Sequence, residues 1–107
     1  MNLFNEEEKK DLYELAAKKW GNSSQLGKAI EECCELSVAI CHYFSDSSTL
    51  ADVIEEVVDV EIMTEQIKLI LLNNSDFSIE DFNKRKNQKL NRLKDRLSDK
   101  TSYMEKE

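Results

Sequence analysis

Glu31-Glu32-Cys33-Cys34-Glu35, Ser45-Asp46-Ser47-Ser48 and Glu55-Glu56-Val57-Val58-Asp59 are the three pieces of one stretch whose reading decides the fold. Both acidic clusters lie in segments whose apolar residues recur at helical spacing, and residues three or four apart share a helix face. Glu32 with Glu35, and Glu56 with Asp59, are therefore two carboxylate pairs, each pointing one way. The polar tetrad between them suits a tight connection between antiparallel helices. The first pair is centred about thirteen residues before the turn and the second about eleven after it, so at about 1.5 Å per residue their heights differ by roughly 3 Å. The fold predicted from this stretch is all-α and built on a helical hairpin. Its two arms bring four carboxylates to one point.

Such a cluster is repulsive and costly to desolvate unless a positive charge sits among its members. An acidic helical stripe is ordinarily a solvated face. Here the surroundings argue for more, because the first cluster continues into Leu36, Val38, Ala39 and Ile40, and the second is set among Val53, Ile54, Val60, Ile62 and Met63. Helices apolar around so much of their circumference are expected to be largely covered by other helices. All-oxygen ligands facing such an interior suit a hard divalent ion, Mg²⁺ or Mn²⁺.

The pattern Glu-Glu-x-x-Glu, about twenty residues, then Glu-x-x-Asp resembles that of the MazG-like nucleoside triphosphate pyrophosphohydrolases, of the all-α NTP pyrophosphatase superfamily. Beyond the acids, Trp20-Gly21, Gln25, Glu35-Leu36, the run Glu55 to Val60, Ile62-Met63 and Gln66 resemble the compact form of phage and bacterial genomes. The resemblance covers roughly Trp20 to Arg96. It implies metal-dependent hydrolysis of a nucleoside triphosphate to the monophosphate and pyrophosphate, in housecleaning of the nucleotide pool. Glu32, Glu35, Glu56 and Asp59 are then the metal ligands, and Glu31 a second carboxylate layer or the group that orients water. It further implies a homo-oligomer, dimer or tetramer, in which two hairpins form a four-helix-bundle-type core.

Composition agrees with this outline and narrows the partners. The chain has 107 residues, no proline, two glycines and 35% charged residues, as expected of one almost wholly helical domain spanning 1–107. A formal charge of −7 argues against nucleic acid or an anionic membrane as the main partner. Cys33, Cys34 and Cys41 fall on one predicted helix, where no disulfide framework forms, and read as small buried residues in a reducing cytoplasm. The start, Met1-Asn2-Leu3-Phe4 before Glu6-Glu7-Glu8, lacks the features of a signal peptide, and no apolar run approaches membrane length. A soluble, cytoplasmic protein is expected.

Taken in order, Asn5 with Glu8 forms a capping-box pattern that opens a first helix to about Lys19. Trp20-Gly21-Asn22-Ser23 breaks it, and Ser23 or Ser24 is the expected cap of a second helix that ends near Phe44. Ser48 or Thr49 caps a third, Leu50 to about Leu72, whose apolar second half suggests burial within an oligomer. Asn73 to Asp76 is the next break, and Ser78 with Asp81 opens a fourth helix from about Ile79 to Leu97. The stretch 98–107 reads as a flexible tail.

The fourth helix is rich in Lys and Arg, and Lys89, Arg92 and Arg96 share one face. That face is either an ordinary solvated one or a phosphate clamp, for which the planar fork of arginine is suited. The resemblance favours the clamp and points to Lys89 and Arg92. Trp20 is either a core residue or a stacking surface for a base. Gln25 either bonds a base or covers the helix start, and Lys28, one turn before the acidic cluster, can face a phosphate. His42 reads as a packing residue. The alternative to an enzyme is a non-catalytic helical oligomerisation or interaction module, in which the acidic stripe is only surface.

Overall fold

The computed structural model describes residues 1, 3–73 and 76–98. Those residues form four α-helices and no strand: α1 Glu6–Trp20, α2 Asn22–Phe44, α3 Leu50–Asn73 and α4 Ile79–Ser98. The chain divides into two compact units, 1–74 and 75–107. The first holds α1 to α3, and the second holds α4. Ser98, the first residue of the expected tail, is the last residue of α4, and the rest of that tail, 99–107, lies outside the described residues.

In the first unit α2 and α3 pair along their length as a hairpin, and α1 packs on both. The turn is held by its own polar groups, as its composition requires. Ser45 Oγ donates to the carbonyls of His42 at 3.1 Å and Cys41 at 3.3 Å, and Ser48 Oγ donates to Ala39 at 3.2 Å. Asp46 takes φ 63°, the left-handed conformation that short polar side chains tolerate. Thr49 starts α3 with a reciprocal pair: its N–H donates to Asp52 Oδ2 at 2.9 Å, and the Asp52 N–H donates to Thr49 Oγ1 at 3.2 Å. The Thr49 N–H, and after it the Thr49 hydroxyl, hold the Asp52 carboxyl below its usual range.

Asn5 and Glu8 close the expected capping box on α1. The start of α2 differs from expectation. Neither Ser23 nor Ser24 caps it; the helix begins at Asn22 behind Gly21, with no side-chain cap. Gly21 adopts φ 88°, ψ 150°, a conformation nearly closed to other residues. Its N–H donates to Ala17 O at 2.8 Å while its own carbonyl accepts from Gln25 N at 3.1 Å. One residue thus ends α1 and starts α2. A serine cap one turn later has nothing left to satisfy.

The core of this unit is thin: Ala29, 3% exposed, Met63 and Ile70, 7% each, are its buried apolar residues, joined by Gln25, Glu32 and Gln66. α1 is pinned to α3 by the Tyr13 hydroxyl, which donates to Glu65 Oε1 at 2.5 Å. Burial and that bond push the Tyr13 hydroxyl up to about 12. Coverage of α2 and α3 is less than their composition suggests, since Ile30, Val38, Ile54 and Val58 are all exposed. The reading of the cysteines is corrected: Cys33, Cys34 and Cys41 are exposed, as is His42. Contact between the two arms covers only part of α2, and these four side chains stay open to solvent.

In the second unit Ser78 and Asp81 cap α4 reciprocally, at 3.0 and 3.1 Å. The Ser78 bonds hold the Asp81 carboxyl below its usual range. Phe77 lies under the Arg85 guanidinium, 5.4 Å from ring centre to carbon. Lys89, Arg92 and Arg96 are exposed on this helix.

Candidate metal centre

The hairpin brings Glu32 and Glu35 of α2 against Glu56 of α3. One carboxylate oxygen from each lies within 4.8 Å of the others. Glu32 is 7% exposed, Glu56 half-buried and Glu35 exposed, so the cluster runs from the helix interface out to solvent. Glu32 Oε1 and Glu56 Oε1 are both buried without a hydrogen-bond partner. Buried polar atoms in folded proteins nearly always have a partner, and carboxylate oxygens accept only. What these two lack is a donor or a cation. A divalent ion with oxygen preference fits these oxygens in chemistry and in span.

The electrostatics point the same way. Partial burial pushes the Glu56 carboxyl above its usual range, and the charges of Glu35, Asp59, Glu32 and Glu55 push it further up. On the other side, Lys28 Nζ sits 3.1 Å from Glu32 Oε2 and 3.7 Å from Glu31 Oε1. The hydrogen bond to Glu32, then the charges of Glu32 and Glu31, raise the Lys28 ammonium above its usual value. A negative potential that favours protons on both an acid and a base favours any cation.

Of the carboxylates expected here, three are gathered and two stand apart. Asp59, one turn beyond Glu56, is exposed and acts on the centre through its charge. Glu31 is exposed and meets Lys28.

Two clefts adjoin the centre. The larger, about 750 Å³, is walled by α1, α2 and α3, and includes Trp20, Gln25, Lys28, Met63 and Gln66. Trp20 stands at its rim, 59% exposed, while Gln25 is buried. Lys28 borders this cleft and also holds Glu32, so it joins the cleft to the carboxylates. The smaller, about 420 Å³, is lined by Glu35 and Glu56 themselves with Cys34, His42, Ser48 and Asp52. Lys89 and Arg92, the two basic residues singled out in the sequence, belong to α4 in the second unit.

Sequence reasoning gave no role to Tyr13, Asp52 or Gln66. For Gln66 a signal existed: it is the one amide in the apolar run Ile62 to Leu72. Comparison with known protein families, with curated proteins and with solved structures yields no match for this chain.

Proposed function

We propose that this chain is a nucleoside triphosphate pyrophosphohydrolase, releasing the monophosphate and pyrophosphate with Mg²⁺ or Mn²⁺ held by Glu32, Glu35 and Glu56. The observation that carries the reading is the pair of buried, partnerless carboxylate oxygens inside a three-carboxylate cluster on a helical hairpin. When bound, the cation supplies charge neutralisation for phosphate oxygens and a more acidic water. The chain's own residues have these roles: Asp59 adds negative charge beside the ligands, Glu31 orients water at the rim, and Lys28 offers its ammonium to a phosphate. Trp20 and Gln25 meet the rest of the nucleotide. Lys89 and Arg92 enter as partners of the phosphate tail on the strength of the family resemblance.

Self-association as a dimer or tetramer belongs to the same proposal, supported by the exposed Ile30, Val38, Ile54 and Val58 on the two longest helices. Those same residues favour the second reading, a non-catalytic helical module that docks through its apolar faces. The deciding experiment measures pyrophosphate from a panel of canonical and modified nucleoside triphosphates with Mg²⁺, with Mn²⁺ and with EDTA. Metal-dependent release supports the enzyme. Silence across the panel, from folded protein whose melting temperature ignores both metals, leaves the module.

A further inference from the structure

The larger cleft holds a feature that the carboxylate centre does not use. Gln66 is 9% exposed, and its Oε1 is buried without a partner. Its Nε2 lies 3.3 Å from Met63 Sδ. A thioether sulfur accepts weakly and offers no hydrogen, which orients the amide with its nitrogen on the sulfur and its oxygen free. An amide left half-satisfied in an apolar wall is costly unless something completes it.

The cleft around it has the character of a site for a flat heterocycle. Leu15, Ile62 and Met63 supply apolar walls, and the single tryptophan of the chain stands at the mouth with its ring largely open. Trp20 carries only a loose cation contact, Lys19 Nζ at 5.6 Å, and is free to stack. The cleft also lies at a useful distance from the carboxylates. The antiparallel register that sets Glu56 against Glu32 sets Met63 against Gln25, two turns up the hairpin. Seven residues separate Gln25 from Glu32, roughly 10 Å along the axis, and ten separate Gln66 from Glu56, roughly 15 Å. That is on the order of the separation between the base edge and the phosphate tail of an extended nucleoside triphosphate.

We propose that this cleft takes the base of the substrate, stacked on Trp20, and that Gln66 Oε1 accepts a hydrogen bond from an N–H on the base edge. The inference rests on the nucleotide reading above and adds a specificity residue to it. Bases that keep an N–H at the contacted position are bound, and bases alkylated there are rejected. A bulky or N-alkylated base leaves the acceptor buried and unpaired, which is the costly outcome.

The test needs neither metal nor phosphate, so it stands apart from the hydrolysis assay. Trp20 fluorescence of the full chain is titrated with matched nucleosides: uridine and 3-methyluridine, cytidine and N4,N4-dimethylcytidine, inosine and 1-methylinosine, adenosine and N6,N6-dimethyladenosine. At least one parent quenches saturably, and its alkylated partner binds about tenfold more weakly. In Gln66→Met, which keeps size and removes the orphaned acceptor, the fold is retained and that discrimination disappears. Saturable quenching by no parent overturns the base site. Equal binding within every pair, or discrimination that survives in Gln66→Met, overturns the role of Gln66. Hydrolysis with a failed titration removes this inference alone, and a successful titration without hydrolysis removes the catalytic reading alone.

Discussion

Replacing Glu32 by glutamine tests the metal centre where its burial is greatest. The amide has the shape of the carboxylate, so no cavity opens. Two effects on the metal-free fold oppose each other: the contact from Lys28 Nζ at 3.1 Å is weakened, and one of three mutually repelling carboxylates is removed. Lys28 is about half exposed, so the first effect is small, and we expect the metal-free melting temperature to move by less than about 5 °C. The metal response is where the variant departs. An ion that binds only the folded chain stabilises it by about 2.7 kcal/mol at a hundred times its Kd, which for a domain of this size is a rise of about 10–20 °C. Wild type shows that rise in Mg²⁺ or Mn²⁺ and Glu32→Gln does not. Helix melting is followed by circular dichroism, with choline chloride at matched ionic strength, because any salt relieves like-charge repulsion to some degree. An equal metal-dependent rise in the variant, or a wild-type melting temperature that follows ionic strength alone, refutes the assignment.

Glu35→Gln is expected to lower kcat at least about a hundredfold, since it removes one of the three carboxylates proposed to hold the metal. Asp59→Asn, acting through charge beside the centre, is expected to cost about ten- to a hundredfold, and steady-state pyrophosphate release compares the two. Tyr13→Phe deletes the one hydrogen bond from α1 to Glu65, a partly exposed bond worth about 1 kcal/mol, so melting falls by roughly 4–8 °C. Because the Tyr13 hydroxyl is raised from near 10 to about 12, that stabilisation is complete below pH 10 and is lost as pH climbs through 12. Melting curves of wild type and Tyr13→Phe should therefore converge across that window. Gly21→Ala forces a side chain into φ 88°, ψ 150°, at about 1–3 kcal/mol, although open space surrounds the added methyl; an unchanged melting temperature would show that the junction relaxes.

The hairpin was legible because three independent signals agreed on it. Period, turn composition and the cap chemistry of α3 placed the hairpin within two or three residues of where it lies; Thr49 is one of the two caps expected there, and the Ser78–Asp81 pair forms as its spacing implies. What failed was burial. Cys33, Cys34, Cys41 and His42 are apolar or aromatic enough to read as interior, yet three helices in one unit cover only part of the circumference of α2. Periodicity says which residues share a face and is silent on whether a neighbour covers that face. The cap of α2 failed for a related reason. Serines at Ser23 and Ser24 carry a strong local preference, and Gly21 overrode it through a conformation that composition alone does not reveal. Within the site, the pairing of Glu32 with Glu35 and Glu56 follows from register, while the separation of Asp59 from the other three depends on helix rotation about the long axis, to which a spacing argument is blind.

The placement of the carboxylates inside the arms, not at their ends, has a physical consequence. Helix ends carry unpaired backbone groups, fray and depend on caps, whereas side chains in the middle of two paired helices are held by backbone bonds on both sides. Glu32 lies ten residues inside α2, and Glu56 lies six residues, between one and two turns, inside α3 behind the Thr49–Asp52 cap. Three like charges therefore cannot relieve their repulsion by local unwinding. Relief comes from a proton on Glu56, from Lys28, or from a cation; Lys28 reaches Glu32 Oε2 and leaves Glu32 Oε1 and Glu56 Oε1 without a partner. The same rigid pair of helices carries Gln25 and Met63 two turns away and Gln66 nearly three, so the carboxylates and these walls of the larger cleft share one frame without a loop between them. In such an arrangement the distance from one end of a ligand to the other is set by helix rise. On the proposed reading, a ligand of the wrong length is not accommodated by loop movement, and selection by length accompanies selection by edge chemistry.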